Sequence, residues 1–263
     1  MPKILEAFVK LLRLRHTAQV VGIVTILSIA SHGFSTHSLY AIISSLFLCI
    51  AIFFLDDAHD YKSDQIVHPQ RPIPKGLIMS RQAYVTGILS LFAGTFFASM
   101  LFSYQLILFT ASTIVAVLVI FLNLQSVLRA FFNAFLIWTL FPFAAFPDLK
   151  IVLFGLIMAL PHIGGSITKD FLHSHGDAIQ KLKPPPKWSK YLAASTFFTT
   201  GFMVWIPLIL HFVTWFYILP MILTQVSCIL LGARILKGHY ERVYVYGAVG
   251  MCSTLIAFLL GGI

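Results

Sequence analysis

Apolar runs of about 20 residues dominate the sequence and limit the folds open to it, because a helix of that length crosses the hydrocarbon core of a bilayer. Nine such runs occupy residues 17–31, 38–55, 82–102, 104–123, 127–146, 150–168, 190–210, 212–231 and 243–262. Only 10% of the 263 residues are charged, against about 25% in soluble domains. The sequence therefore predicts an all-α, polytopic membrane protein with nine transmembrane helices.

The basic residues predict the orientation of these helices. If the N-terminus is cytoplasmic, 17 of the 18 Lys and Arg residues fall on the cytoplasmic side and only Lys150 lies opposite. This is the distribution expected from the positive-inside rule. It also explains the net charge of +9 without a nucleic-acid partner. Residues 1–16 carry four basic residues on a helix with an apolar face, so we expect this amphipathic segment to lie along the cytoplasmic membrane surface.

Six of the nine acidic residues lie in two connections on the predicted cytoplasmic side of an integral cell-membrane protein. They are Asp56, Asp57, Asp60 and Asp64 after the second run, and Asp170 and Asp177 after the sixth. Carboxylates at helical spacing repel one another unless cations neutralise them. A solvated loop that caps a helix is the simpler alternative. The scarcity of acids elsewhere favours a divalent-metal site that holds an anion.

The spacing of these acids predicts two ligand faces. If the second helix continues through the first stretch, its ligands share one face at i, i+3 and i+7; they are Asp57, Asp60 and Asp64. The second stretch repeats this spacing with Asp170, His173 and Asp177. Because Mg²⁺ prefers a few carboxylates plus the oxygens of a phosphorylated substrate, two such stretches facing each other could hold ions that clamp a diphosphate.

Basic residues accompany both stretches and suit phosphate oxygens: Lys62, Arg71, Lys169 and Lys181. Each stretch also follows an apolar helix and ends in a basic, proline-containing segment, RPIPKG from Arg71 and KLKPPPK from Lys181. These shared features indicate a weak internal repeat, with halves at about 17–125 and 126–263 of a single domain that spans residues 1–263. Such repeats commonly place a binding site at their interface.

Two motifs resemble those of the UbiA superfamily of intramembrane prenyltransferases. The run DDAHDYKSD from Asp56 to Asp64, followed by RPIPKG, is similar to the family's NDxxDxxxD motif and RP[LI]xxG segment. The run KDFLHSHGD from Lys169 to Asp177 is similar to its KDxxDxxGD motif. The resemblance implies an all-α bundle with a central cavity that is open to lipid and capped by cytoplasmic Asp-rich loops. It also implies that Mg²⁺ assists ionisation of a prenyl diphosphate, whose allylic cation joins an acceptor.

The resemblance assigns roles by motif position. Five aspartates are assigned as ligands of Mg²⁺ and diphosphate by this resemblance: Asp57, Asp60, Asp64, Asp170 and Asp177. Arg71 and Lys169 are assigned to support the diphosphate. It places a basic residue and an asparagine near the junction of the fourth and fifth helices, where the chain has Arg129 and Asn133. Arg13 and Arg15 could reach the diphosphate from the N-terminal helix, with anchoring at the membrane surface as the alternative.

The motifs also depart from the family pattern. Asp56 stands where the family has Asn, and His173 replaces a carboxylate in the second motif. Imidazole is a poor Mg²⁺ ligand beside oxygen donors, so the second site, His173 included, is expected to hold metal less tightly. Within the sixth run, His162 follows Pro161 and is expected either to bond to the backbone or to mark a helix break.

Three functions fit these features. The first is transfer of a prenyl group to a small hydrophobic or amphipathic acceptor, either a lipid, as in the digeranylgeranylglyceryl phosphate synthase branch, or an aromatic compound. The second is a membrane terpene cyclase that ionises the same substrate and quenches the cation internally. The third is a divalent-cation transporter, which is disfavoured because the acids gather at one membrane face and form no relay through the spans.

Overall fold

The computed structural model describes residues 3–122, 124–145, 148–179 and 184–261, and all regular secondary structure in these ranges is helical. The helices are α1 Lys3–Leu11, α2 Leu14–His32, α3 Thr36–His59, α4 Tyr61–Val67, α5 Ser80–Ser99, α6 Ser103–Phe121, α7 Ser126–Ala145, α8 Leu149–Ile179, α9 Ser189–Met203, α10 Ile206–Ile209, α11 Ile218–Leu236 and α12 Val243–Gly261. A 3-10 turn at Trp215–Tyr217 precedes α11. The predicted all-α class is confirmed.

Seven helical segments in the described ranges are long and apolar enough to cross a membrane. They are α3, α6, α7, α8 up to Leu172, α9 with α10, the 3-10 turn with α11, and α12. An eighth span results if α1 and α2, which meet at a bend of 65°, are counted together. The predicted spans 17–31 and 82–102 coincide with α2 and α5. Polar residues such as Gln82 lower the hydropathy of α5, so the fold supports seven or eight spans, and the count of nine stays a prediction.

The first of two compact units comprises Met1–Asn123 and Phe143–Ala145. In this unit α3 packs against α2, α5 and α6. The apolar face of α1 is buried in a cluster that also contains residues of α3, of the segment after α4 and of the start of α5: Ala7, Leu11, Phe54, Ala58, Ile73, Ile78 and Ala83. Burial of these side chains fixes both α1 and the segment after α4 against the end of α3.

The second unit comprises Leu124–Pro142 and Phe146–Ile263. In this unit α8 packs against α9 and α12, and α11 packs against the same two helices. Helix α8 is continuous from Leu149 to Ile179 although it contains Pro161, so the helix break considered for His162 does not occur. The internal repeat and the single-domain organisation stay predictions.

Candidate functional site

The first acidic stretch is nearly a continuation of α3. The Asp60 N–H donates to the Asp56 carbonyl at 2.9 Å, and the Asp64 N–H donates to the Asp60 carbonyl at 2.8 Å. Regular helix is interrupted only at Asp60 itself, between α3 and α4. Helical spacing is therefore largely kept, and the side chains of Asp57 and Asp64 both reach Arg71.

Two arginines link three of the four carboxylates of this stretch. Arg13 Nη2 donates to Asp56 Oδ2 at 2.8 Å and to Asp57 Oδ1 at 2.5 Å. Arg71 Nη1 donates to Asp57 Oδ1 at 3.2 Å and to Asp64 Oδ2 at 2.6 Å. Asp57 is 4% exposed and Asp64 is 2% exposed, so these carboxylates need such partners. We call the two arginines with Asp56, Asp57, Asp60 and Asp64 the first cluster.

The RPIPKG segment holds Arg71 in place. Ile73 and Ile78 anchor the segment because both are 2% exposed within the cluster shared with α1 and α3. The Lys75 N–H donates to the Arg71 carbonyl at 3.1 Å, which closes a turn. Gly76 follows with φ of +70°, a conformation that glycine adopts without steric cost. The sequence thus turns back sharply enough to direct Arg71 at the carboxylates.

Arg13 reaches the cluster from the break between α1 and α2. Its backbone is left-handed, with φ of 45° and ψ of 54°, which is unfavourable for a residue with a Cβ atom. The conformation is held because Ala7 and Leu11 bury α1 against α3. Burial disfavours the guanidinium charge, but Asp56 and Asp57 outweigh this effect and raise the pKa of Arg13. Strained backbone of this kind is typical of functional sites.

Asp60 belongs to the same cluster but has no ion-pair partner among the described residues. Although the residue is exposed overall, reduced hydration of its carboxylate, followed by repulsion from Asp56 and Asp64, raises its pKa to about 6. Four carboxylates against two guanidinium groups leave the first cluster with two excess negative charges. Oxygen ligands with this charge suit a hard divalent cation such as Mg²⁺.

A second cluster forms between α7 and α8. Asp170, which is 8% exposed, accepts hydrogen bonds from Arg129 Nη2 at 2.7 Å on Oδ1 and from Ser126 Oγ on Oδ2. Further along the two helices, Asn133 Nδ2 lies 3.5 Å from Ser166 Oγ. We call these five residues the second cluster. Sequence reasoning missed Ser126, although its spacing to Arg129 and Asn133, at i, i+3 and i+7, places all three on one face of α7.

The other predicted site residues are placed as follows. Lys169 is exposed on α8 beside Asp170, and Lys62 is exposed on α4. The side chains of Arg15, His173 and Asp177 lie outside the described part of the structure. Among the side chains that are described, no three His, Cys, Asp or Glu residues are grouped as a metal site. Asp57, Asp64 and Asp170 form ion pairs with arginines.

Solved structures share this fold over nearly the whole chain. A digeranylgeranylglyceryl phosphate synthase superposes with a TM-score of 0.78 at 20% identity, covering 98% of this chain and 99% of the other. An apo UbiA homologue from Aeropyrum pernix K1 gives 0.70 at 15% identity, with 93% and 96% coverage. A UbiA homologue from Archaeoglobus fulgidus, bound to GPP and Mg²⁺, gives 0.68 at 13% identity, with 97% and 99% coverage.

Comparison of the sequence gives no match: no protein-family model and no curated protein sequence matches the chain. The likeness to solved structures nevertheless extends over almost the full length of both partners in each comparison. It confirms the UbiA-like fold that the two motifs imply, whereas the central cavity and its cap of cytoplasmic Asp-rich loops stay predictions. The protein has the fold of the UbiA homologues.

Proposed function

We propose that the protein is a Mg²⁺-dependent intramembrane prenyltransferase that transfers the prenyl group of a diphosphate to an acceptor. The observation that carries this proposal is a chain of ion pairs at the end of α3. In this chain Arg13 contacts Asp57, and Arg71 contacts both Asp57 and Asp64. Carboxylates for a divalent cation and guanidinium groups for phosphate oxygens stand side by side there. The UbiA-like fold supports the proposal, and one protein with that fold is bound to GPP and Mg²⁺.

The carboxylates would hold the metal. In the first cluster the ligands would be Asp57, Asp60 and Asp64, and in the second motif Asp170, Asp177 and His173. When bound, Mg²⁺ supplies positive charge that stabilises the leaving diphosphate. His173 would make the second metal position weaker than a carboxylate would, because Mg²⁺ favours oxygen ligands.

The basic residues would bind the diphosphate. Once a metal neutralises Asp57 and Asp64, the planar guanidinium groups of Arg13 and Arg71 become available for bidentate bonds to phosphate oxygens. Arg129 forms an ion pair with Asp170, and it would become available for phosphate oxygens in the same way once a metal neutralises Asp170. Further substrate-binding residues in this proposal are Lys62, Lys169, Asn133 and Arg15. We also propose nine spans, with the N-terminus and both motifs on the cytoplasmic side, as the distribution of Lys and Arg predicts.

Product analysis tests the reaction. Purified protein in lipid nanodiscs would receive labelled geranylgeranyl diphosphate with either geranylgeranylglyceryl phosphate or 4-hydroxybenzoate, in Mg²⁺ or in EDTA. We expect a prenylated acceptor that forms only with Mg²⁺; the lipid acceptor is favoured because a digeranylgeranylglyceryl phosphate synthase shares the fold at a TM-score of 0.78. A cyclised hydrocarbon would indicate the terpene cyclase instead, and failure to consume the diphosphate would contradict both enzymes.

Variants of the carboxylates test the site. We expect Asp60→Ala and Asp170→Ala to abolish diphosphate release while the protein stays folded. Asp148→Ala is the control, because Asp148 is an exposed residue that accepts a bond from the Lys150 N–H. His173→Asp should bind Mg²⁺ more tightly. Full turnover by either of the first two variants would exclude the metal-binding role.

A further inference from the structure

Polar side chains continue from the second cluster into the membrane-spanning part of α8. His162, Ser166 and Asp170 follow one another at intervals of four residues, so they share one face of the helix and extend over about 12 Å along its axis. The two residues nearest the helix end contact polar residues of α7, as Asp170 does with Arg129 and Ser166 with Asn133. His162 is the innermost member, two turns from Asp170.

The contact of His162 with its own helix fixes which ring nitrogen carries hydrogen. His162 Nδ1 lies 2.8 Å from the Met158 carbonyl oxygen. Because a carbonyl oxygen can only accept, Nδ1 must be the donor. The neutral ring therefore has an unprotonated Nε2, which is held ready to accept a hydrogen bond or a proton.

The Nε2 atom of His162 makes no hydrogen bond with the described residues. The residue is partly exposed, in contrast to Thr168, which is fully buried on the same helix and donates to its own i−4 carbonyl. A titratable ring in a membrane span costs free energy and by default marks a functional position.

We propose that His162 binds the hydroxyl group of an alcohol acceptor and removes its proton, an inference that rests on the proposed prenyl transfer. The hydroxyl donates to Nε2, which orients the acceptor oxygen. This position fits the reaction, because Asp170 belongs to the diphosphate end of the site in the proposed function. In this arrangement the prenyl carbon that is transferred and the acceptor oxygen lie beside the apolar part of α8, two helical turns from Asp170.

The proposed step balances. The bond between C1 of the prenyl chain and the diphosphate oxygen breaks, and its electron pair leaves with diphosphate. A lone pair of the acceptor oxygen forms the new bond to C1, while the hydroxyl proton moves to Nε2 of His162. The imidazolium then loses this proton to water or to released diphosphate, which restores the starting tautomer.

The test separates binding of the acceptor from ionisation of the diphosphate. The probes are geranylgeranyl diphosphate, geranylgeranylglyceryl phosphate as the alcohol, and its deoxy analogue, which lacks the reacting hydroxyl. We expect His162→Phe to keep Mg²⁺-dependent diphosphate release without acceptor within about twofold and to lose about 100-fold in transfer, in the range for loss of a general base. His162→Gln, which can still accept a hydrogen bond, should keep the KM for the alcohol but not kcat.

Inhibition by the analogue distinguishes a ligand contact from a structural role. The wild-type protein should prefer the alcohol to its deoxy analogue by about tenfold, as expected for one hydrogen bond, whereas His162→Phe should bind both equally. Thr168→Val is the control, because it removes a side-chain bond to the backbone of the same helix; it should leave the preference intact.

Three results would overturn the inference. They are transfer at the wild-type rate by His162→Phe, a parallel loss of diphosphate release and transfer in both His162 variants, and an unchanged preference for the alcohol over its deoxy analogue. If His162→Phe does not fold, His162→Gln decides by its separate values of kcat and of KM for the alcohol: a raised KM with an unchanged kcat would contradict the inference. A wild-type protein that consumes no prenyl diphosphate contradicts the proposed function itself and the inference with it, whereas consumption with unaffected His162 variants contradicts the inference alone.

Discussion

Arg71 Nη1 lies 2.6 Å from Asp64 Oδ2, and the Asp64 side chain is 3% exposed while that of Arg71 is 32% exposed. The same nitrogen donates to Asp57, so loss of this one side chain leaves two buried carboxylates short of a partner. We expect Arg71→Ala to lower the free energy of unfolding by about 2 to 3 kcal/mol, below the full cost of breaking a buried pair because Arg71 is partly exposed. Chemical unfolding in detergent measures this change.

Two further variants test whether the loss of stability is specific to the guanidinium group of Arg71. Arg71→Lys keeps the charge but lacks the planar fork, so it should recover only part of the lost stability. Lys62→Ala, at an exposed position of α4, should change the free energy of unfolding by less than about 0.5 kcal/mol. Equal stability of Arg71→Ala and the wild type would show that Asp57 and Asp64 do not depend on the arginine.

Ser126 donates through Oγ to the buried carboxylate of Asp170. Hydrogen bonds to charged groups contribute more than neutral ones, so Ser126→Ala should cost about 1.5 kcal/mol of unfolding free energy. Ser195→Ala is a suitable control, because Ser195 is exposed and donates to the Leu192 carbonyl of its own helix, its one side-chain bond among the described residues. If both alanine variants unfold at the same denaturant concentration, the bond from Ser126 does not stabilise Asp170.

The raised pKa of Asp60 makes the metal-free protein sensitive to pH. The pKa is about 6 in the folded protein, against 3.8 as the ordinary value. Between these values the folded state binds more protons than the unfolded state, so stability falls as pH rises from about 4 to 6. Asp60→Asn removes this titration and should be more stable than the wild type above pH 6 in EDTA.

Thermal unfolding of the wild type and of Asp60→Asn at several pH values tests this expectation. The difference between the two proteins reports the titration of Asp60 alone. The two proteins should have similar stability near pH 4 and diverge toward pH 7. Addition of Mg²⁺ at pH 7.5 should stabilise the wild type more than the variant, because a bound cation favours the ionised carboxylate. A constant difference across the pH range would contradict the assignment to Asp60.

Structural features that depend on the spacing of nearby residues could be predicted from the sequence. Apolar length located the helices to within a few residues, as with the predicted span 127–146 and the observed Ser126–Ala145. Helical spacing predicted that Asp57 and Asp64 share a face, and both contact Arg71. These features arise within one helix or its immediate continuation, where periodicity determines direction.

Features that depend on tertiary contacts could not be predicted in this way. The position of Arg13 requires α1 to be buried against α3 and the backbone to adopt φ of 45° at a residue other than glycine. The role of Ser126 depends on α7 lying beside α8. Spacing restricts the face of a helix but does not identify the partner that this face meets.

Gly164 and Gly165 offer a direct test of the packing that supports the second unit. A Cβ atom on Gly164 would lie 2.7 Å from the Ala193 carbonyl oxygen and 2.5 Å from Thr196 Oγ1, both on α9, whereas one on Gly165 would meet nothing within 4 Å. Gly164→Ala must therefore push α8 and α9 apart and should cost about 2 to 3 kcal/mol. Gly165→Ala should be neutral or stabilising by up to about 1 kcal/mol, because alanine favours the helix. Equal unfolding free energies for the two variants would contradict the close contact between α8 and α9.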